Sequence, residues 1–325
     1  MTIANLRSAF PRRLLFVITC GLLGFSPAKG FDPGLASFGI VVDSMESRYR
    51  VMTYSLLPGD SLDLTLLTES AAAPIAWHSD QVKATEPAAN RRQLHPPKTV
   101  GAYQGRFVAG DRADDTMLVN IFVLEPASSV KNGRLNGYRI GKYPAKPYKG
   151  LPQYLPPSGY IKATPELMEM KVSPHFTLGQ FICKQNGGFP KYLVLRTELL
   201  LKLELVLHEV NKAGFSGQSF HVMSGYRTPY YNQAIGNVKH SRHQWGGAAD
   251  IFIDEHPKDG VMDDLNKDGR INRHDAAVMY DLVEELYGED WYQPFIGGLG
   301  RYRRTDSHGP FVHIDVRGFR ARWGD

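Results

Sequence analysis

The stretch Ser241-Arg-His-Gln-Trp-Gly-Gly-Ala-Ala-Asp250 decides how the C-terminal half of this chain is expected to fold. Three apolar residues, Ile251 to Ile253, follow it directly, and such a run is typical of a buried strand. The carboxylate of Asp250 therefore opens a strand, and the imidazole of His243 lies in the loop before it. Polar groups at the start of a buried strand predict a functional site.

A second strand-like run near the C-terminus supplies the same kinds of group. Alternation between Phe311 and Val316 places His313 and Asp315 on one face and the intervening apolar residues on the other. Two histidines and one carboxylate form a three-ligand set, which is typical of catalytic zinc because the fourth position stays open for water. A structural zinc site closed by thiolates is excluded, since the chain has only 2 cysteines.

These segments resemble the signature of the zinc D-Ala-D-Ala carboxypeptidase and dipeptidase family, which belongs to the LAS metallopeptidases together with the hedgehog domain. The pattern Ser-x-His-x-x-Gly-x-Ala-x-Asp matches the first stretch, and His-x-Asp matches the second. The resemblance covers roughly residues 172–323. It implies that His243, Asp250 and His313 bind zinc.

The resemblance also implies which side chains act on the substrate. Arg227, in the segment Ser224-Gly-Tyr-Arg-Thr228, matches an arginine that faces the substrate in the family. Many members place a catalytic glutamate three residues before the last zinc histidine, where this chain has Pro310. Another branch has a histidine five residues before that ligand, and His308 stands at this spacing. Arg227 and His308 are therefore the predicted catalytic residues.

A zinc ion held in this way lowers the pKa of its bound water and polarises a carbonyl group, which predicts amide hydrolysis. Arg227 is expected to hold a substrate carboxylate or a developing oxyanion. His308 is expected to orient the water or to protonate the leaving amine. Asp315 and Ser241 are expected to support the zinc ligands from behind.

The resemblance and a predicted export signal together imply a peptidoglycan stem peptide or cross-link as substrate, cleaved by a D,D-carboxypeptidase or an endopeptidase. Two alternatives stay open. Pro310 favours a zinc-stabilised cell-wall-binding module without turnover, whereas Arg227 and His308 favour an enzyme. The enzyme, in turn, is expected to act either on peptidoglycan or on another exported peptide.

Residues 264–275 match a calcium loop of the EF-hand or dockerin type, inside an insertion at about 255–287. The spacing requires oxygen ligands at positions 1, 3, 5, 7 and 12 and glycine at position 6. The oxygen ligands would be Asp264, Asn266, Asp268, the carbonyl of Arg270 and Asp275, and the glycine at position 6 is Gly269. A solvated acidic turn is the alternative interpretation. We expect a structural calcium ion.

The first 30 residues are expected to direct export to the periplasm or cell envelope. Arg12 and Arg13 precede an apolar run from Leu14 to Phe25, as in a signal peptide. We expect membrane contact only if this segment is retained. The segment supplies four positive charges and no acid, so the net charge of +5 falls to +1 without it. A charge so close to neutral gives no electrostatic argument for nucleic-acid binding.

The rest of the chain is expected to contain two domains of an α+β protein. Short strands separated by turns predict an immunoglobulin-like β-sandwich for residues 31–143. The Pro- and Tyr-rich residues 144–171 predict a linker, or alternatively a surface where exposed tyrosines stack on sugars, and these tyrosines are Tyr148, Tyr154 and Tyr160. Residues 172–325 are the predicted zinc domain, an antiparallel sheet with helices, one of them at 192–211. The oligomeric state stays open.

Overall fold

The computed structural model describes residues 30–68, 74–110 and 115–324. The predicted export segment, residues 1–30, lies outside these residues except for Gly30. No helix in the described part of the chain is long and apolar enough to cross a membrane.

The N-terminal region consists of two β-sheets. Their strands are β1 (Leu35–Val42), β2 (Met45–Tyr49), β3 (Val51–Leu56), β4 (Leu62–Leu67), β5 (Ile75–His78), β6 (Lys83–Ala88), β7 (Arg91–His95), β8 (Gly101–Ala109) and β9 (Thr116–Val123). The strand orders are β2-β1-β4-β7-β6 and β3-β9-β8-β5, and β3 pairs with β9 in parallel. Alternate side chains such as Ile40, Leu94 and Phe107 are buried, which gives their strands an apolar face toward the core. The immunoglobulin-like arrangement stays a prediction.

Seven short strands connect this region to the C-terminal sheet. They are β10 (Glu125–Pro126), β11 (Arg134–Leu135), β12 (Tyr138–Arg139), β13 (Gly159–Ala163), β14 (Lys171–Ser173), β15 (Phe176–Thr177) and β16 (Lys191–Leu193). Strand β13 pairs with both β10 and β16, so the predicted linker is built into the fold. Tyr154 and Tyr160 are buried. The expectation that these two tyrosines are exposed for sugar stacking is therefore wrong, because both rings pack inside the protein.

The C-terminal region is a mixed α+β unit around one five-stranded sheet. Its strands are β17 (His221–Ser224), β18 (Ala248–Phe252), β19 (Gly298–Tyr302), β20 (Phe311–Asp315) and β21 (Ala321–Trp323), and the helices are α1 (Thr197–Lys212), α2 (Pro229–Ala234) and α3 (Arg273–Glu285). The strand order is β17-β18-β20-β19-β21, with only β21 parallel to its neighbour. Helix α1 begins later than the prediction at 192–211, because Tyr192 and Leu193 pair with β13.

The predicted insertion contributes to the core of this region. Helix α3 packs against β19 and α1, and it buries Ala276, Met279 and Val283. The N-terminal sheets are joined to the same region by hydrogen bonds. Thr53 Oγ1 donates to the carbonyl oxygen of Val172 at 2.6 Å, and Thr197 Oγ1 donates to the carbonyl oxygen of Thr53 at 2.7 Å.

Candidate metal centre

One row of residues across the C-terminal sheet carries the site. The strand pairing aligns Ser224, Asp250, His313, Gly300 and Trp323, in that order, on β17, β18, β20, β19 and β21. Residues paired directly across neighbouring strands point to the same face of the sheet. The register alone therefore brings a predicted zinc carboxylate next to a predicted zinc imidazole, although 63 residues separate them in the chain.

His243 reaches this row from a short helical turn, Arg242–Trp245, placed just before β18. Gly246 ends the turn with a φ of 63°, a left-handed conformation that favours glycine. A Cβ at this position would also lie 2.2 Å from the carbonyl oxygen of Val194, so the close approach of the two backbones requires glycine. The sharp reversal holds the imidazole of His243 over the first residues of the strand.

Three ligand atoms converge on one point. His243 Nε2 lies 3.2 Å from Asp250 Oδ1 and 3.1 Å from His313 Nδ1, and His313 Nδ1 lies 2.8 Å from Asp250 Oδ1. All three side chains are buried. A tetrahedral zinc ion with bonds of about 2.0 Å holds neighbouring ligand atoms roughly 3.3 Å apart, so the spacing of these atoms is close to that of a zinc site.

The hydrogen bonds behind the two imidazoles show why a cation fits between them. His243 Nδ1 donates to the carbonyl oxygen of Gly225 at 2.6 Å, and His313 Nε2 donates to Asp315 Oδ2 at 3.1 Å. Each neutral ring then presents an unprotonated nitrogen to Asp250 Oδ1, which is also an acceptor. Three acceptors facing one another without a donor repel, and a zinc ion satisfies all three while leaving a fourth position open.

Burial and the neighbouring charges shift the pKa values of all three predicted zinc ligands. Burial, and secondarily the charge of Arg227, lowers the pKa of His243 to about 4 although Asp250 opposes the shift. Burial by itself would raise the pKa of Asp250, but His243 and His313 hold it well below its ordinary value. Burial lowers the pKa of His313, yet hydrogen bonds to Asp250 and Asp315 outweigh it and raise the pKa overall. A proton at His313 therefore competes with a metal ion for the same nitrogen.

Arg227 lies on the β17 side of the ligand row. Its Nη2 donates to Asp250 Oδ2 at 2.5 Å, and its Nε donates to Ser224 Oγ at 2.8 Å. The guanidinium therefore holds the outer oxygen of the carboxylate and leaves Oδ1 for the metal. The sequence predicts that Arg227 faces the substrate, whereas in the structure its first contact is a zinc ligand.

Comparison with known proteins bears directly on this arrangement. Residues 174–272 match the Peptidase M15 family model. The matched segment contains Arg227, His243 and Asp250 and ends before His313. The match supports a zinc metallopeptidase domain, similar to a family that acts on peptidoglycan peptides. No curated protein matches the chain. A solved structure described as the M1 domain from titin is similar at 13% identity over 22% of this chain and 86% of that chain, with a TM-score of 0.16.

Behind the three predicted zinc ligands, Asp315 is held from several sides. Arg317 donates to it through Nε and Nη2, and the backbone N–H of Gly298 donates to its Oδ1 at 2.7 Å. Lys202 Nζ donates to its carbonyl oxygen at 2.8 Å. The carboxylate that orients His313 is therefore rigid and anionic. Ser241, the other predicted support, begins the turn of His243 through its backbone, and within the described residues its hydroxyl bonds to none of the three predicted zinc ligands.

His308 lies at the end of the hairpin between β19 and β20. Its Nδ1 donates to the carbonyl oxygen of Gly309 at 2.8 Å, and its ring packs edge-on against Phe311 with centroids 5.0 Å apart. Phe311 is the neighbour of His313 on the site face of β20. Among the described residues, no hydrogen bond joins His308 to a predicted zinc ligand, so its catalytic role stays a prediction from spacing.

Two aromatic residues beside the predicted zinc ligands were not predicted from the sequence. The indole of Trp323 packs beside the ring of His313, with centroids 5.1 Å apart. It lies over Gly300, where a Cβ would come within 2.3 Å of the indole Nε1. The same Nε1 donates to the hydroxyl of Tyr302 at 2.7 Å. The alternating residues of β19 and β20 give a partial signal for Tyr302, whereas Trp323 joins the site through a three-residue strand.

A cavity of about 200 Å³ lies farther along the same side of the sheet, at the edge formed by β17. Gln180, His221 and Lys258 contribute to its lining. His221 stacks on Phe252, with centroids 4.5 Å apart, and Phe252 follows Asp250 by two residues on β18. His221 therefore lies on the same face of the sheet as Asp250.

The predicted calcium loop forms a compact turn. Asp264 accepts from the backbone N–H groups of Asp268 and Gly269 at 3.2 and 2.7 Å. Asp275 is buried and accepts from the backbone N–H groups of Leu265 and Asn272, which caps the start of α3. Among the described residues, His, Cys, Asp or Glu side chains converge in a group of three at His243, Asp250 and His313 and not in this loop. Calcium binding through Asp264, Asn266, Asp268, Arg270 and Asp275 stays a prediction.

Proposed function

We propose that this protein is an exported zinc-dependent peptidase that hydrolyses an amide bond in peptidoglycan stem peptides or their cross-links. One observation carries the proposal: the facing atoms of His243, Asp250 and His313 are three acceptors within 3.2 Å of one another. Three buried acceptors that face one another without a donor or a cation are energetically unfavourable. A zinc ion bound by these three side chains would keep its fourth coordination position open for water or substrate, as in catalytic rather than structural zinc sites.

When bound, zinc supplies a water of lowered pKa and polarises the scissile carbonyl group. The chain itself supplies the rest of the chemistry. Arg227 fixes Asp250 through Nη2, and its remaining N–H groups are available to an oxyanion on the β17 side. His308 is the predicted donor of a proton to the leaving amine, from its position beside Phe311.

Substrate recognition is expected to involve Lys184, an exposed lysine. Partial burial lowers its pKa, the charge of Arg227 lowers it further, and the charge of Asp250 opposes both effects. A stem peptide ends in a carboxylate, and an ammonium group attracts that anion. The cavity beside His221 gives room for a neighbouring residue of the peptide.

The proposal also assigns the remaining predicted features. Export rests on Arg12, Arg13 and the apolar run that follows them, which lie outside the described residues. A calcium ion in the loop at 264–275 would hold the start of α3, and through α3 it would brace β19. The N-terminal sheets then serve as a companion domain of immunoglobulin-like type, packed on the peptidase through Thr53 and Val172.

The test is the release of new amines from isolated peptidoglycan by purified, zinc-loaded protein. Mass spectrometry of the products distinguishes loss of a terminal residue, which indicates a carboxypeptidase, from cleavage within a cross-link, which indicates an endopeptidase. His308→Ala is expected to lower turnover about 10²- to 10⁴-fold with its zinc retained. His78→Ala, an exposed histidine of β5, is the matched control and should leave turnover unchanged.

The second candidate is a wall-binding module without turnover. Pro310, buried where many family members carry a catalytic acid, favours it. If the zinc-loaded protein releases no amine from any peptidoglycan fraction yet sediments with cell wall, the binding module replaces the peptidase. A third outcome, cleavage of other exported peptides but not of peptidoglycan, would change the proposed substrate and leave the proposed amide hydrolysis in place.

A further inference from the structure

Tyr302 stands at the end of β19 on the same face of the sheet as the metal ligands. It pairs with Phe311 across β20, two positions from the pairing of Gly300 with His313. The phenol ring stacks on Phe311 with centroids 4.4 Å apart and an angle of 10° between the planes. The side chain is partly exposed, so a bound molecule can reach its hydroxyl.

The hydroxyl of Tyr302 has a defined orientation and an unused proton. Its oxygen accepts from Trp323 Nε1 at 2.7 Å, and no described residue accepts its O–H. The indole is itself fixed, because it fills the space above Gly300 and packs on the ring of His313. Trp323 therefore contacts both the ring of His313 and the hydroxyl of Tyr302.

Tyr302 and Arg227 contact opposite ends of the row of residues that crosses the sheet from Ser224 to Trp323. Arg227 bonds to Ser224 on β17, at one end of the row, whereas Tyr302 bonds to Trp323 on β21, at the other. If zinc were bound by the three ligands, Arg227 and Tyr302 could each donate to a substrate carbonyl group held there. Arg227 already uses two N–H groups on Ser224 and Asp250, which leaves the phenol as the donor with no competing protein acceptor within the described part of the chain.

We propose that Tyr302 is a catalytic residue that donates its O–H to the oxyanion formed from the scissile carbonyl, and that Trp323 is the positioning residue that aims it. This inference rests on the proposed peptidase function. The phenol keeps its proton throughout, so the step is a hydrogen bond that strengthens as negative charge develops on the oxygen. Burial raises the pKa of Tyr302, which keeps the phenol protonated at neutral pH.

The test uses Tyr302→Phe in the full chain, with inorganic phosphate as a tetrahedral oxyanion and cobalt in place of zinc. Visible absorption of the cobalt protein reports phosphate binding without any turnover. We expect phosphate to bind about 10- to 100-fold more weakly to the variant, because a hydrogen bond to a charged oxygen is lost. Turnover of peptidoglycan peptides should fall about 10²-fold with KM and metal content unchanged. Tyr103→Phe, which removes a hydroxyl bonded to the carbonyl oxygen of Thr99 in the N-terminal region, is the matched control.

Trp323→Phe tests the positioning role, because it keeps an aromatic ring and removes the indole N–H. We expect a smaller fall in kcat at unchanged KM, and no further fall when it is combined with Tyr302→Phe, since both changes act through one hydroxyl. A Trp323→Phe effect that adds fully to that of Tyr302→Phe would instead indicate packing alone.

The two proposals fail separately. Equal phosphate affinity of wild type and Tyr302→Phe overturns the role of Tyr302, even in an active peptidase. Weaker phosphate binding by Tyr302→Phe, in a wild-type protein that cleaves no peptide, supports the donor role and overturns the peptidase function.

Discussion

His243 Nε2 and His313 Nδ1 lie 3.1 Å apart, although in the neutral rings neither nitrogen has a proton to give the other. Gly225 and Asp315 hold the protons on the far sides of the two rings. Asp250 adds a third acceptor at the same point. The fold thus maintains a repulsive arrangement that a metal ion converts into a stabilising one.

The first prediction concerns zinc content. His243→Ala should remove the bound zinc, because two remaining ligands no longer define a zinc site. Elemental analysis of the purified variant measures this directly, with His78→Ala as the control that keeps its zinc. Full zinc occupancy in His243→Ala would show that the metal binds elsewhere.

The second prediction concerns Arg227. Arg227→Ala leaves Asp250 Oδ2 without its charged partner, so the carboxylate is less firmly oriented and the zinc affinity should fall about 10- to 100-fold. Competition with a chelator measures the affinity. Arg303→Ala, an exposed arginine of the hairpin, is the control. If Arg227→Ala has an unchanged zinc affinity and a raised KM, Arg227 binds the substrate and does not orient Asp250.

The third prediction concerns the pH dependence of stability and the buried Lys202. Burial lowers the pKa of Lys202 to about 7, against about 10.4 in an unfolded chain. Between these values the unfolded chain holds a proton that the folded protein has released, so the free energy of unfolding rises with pH. The slope from this group is at most about 1.4 kcal/mol per pH unit. Lys202→Met should remove that slope.

Urea unfolding of both proteins at pH about 7, 8 and 9 measures the difference, within the window set by the two pKa values. Other titrating groups are common to both proteins and cancel. Lys202 also donates to the carbonyl oxygens of Phe295 and Asp315, so the variant is expected to be less stable at every pH. Parallel stability curves for the two proteins would contradict the shifted pKa, whatever the offset between them.

The fourth prediction concerns calcium. A ligand that binds only the folded protein raises its melting temperature by mass action, so calcium should stabilise the wild type relative to chelator. Asp268→Ala should abolish the difference, because it removes an oxygen at position 5 of the loop. Asp281→Ala, an exposed acid on α3, should preserve it. Identical melting curves of the wild type in calcium and in chelator would leave the loop as an acidic turn.

The sequence by itself, through its short motifs and the resemblance that they carry, predicts His243, Asp250 and His313 as the metal ligands, and the structure brings these three side chains together. Alternation along a strand fixes the face of His313 and Asp315, and the short stretch before β18 fixes the separation of His243 from Asp250. The presence of a buried strand after His243 and of a long helix follows from the same short-range patterns. The strand begins earlier than predicted, at Ala248, so Asp250 lies inside it and does not open it.

Only the tertiary structure decides what surrounds those ligands. Trp323 and Tyr302 enter the site because β21 pairs in parallel with β19 and β19 pairs with β20, and Tyr154 is buried because the connecting segment packs on Trp245. These contacts depend on the register between distant strands. A chain's local pattern specifies which face a side chain takes, but it does not specify which distant strand will lie beside it, since that choice depends on the packing of the whole core.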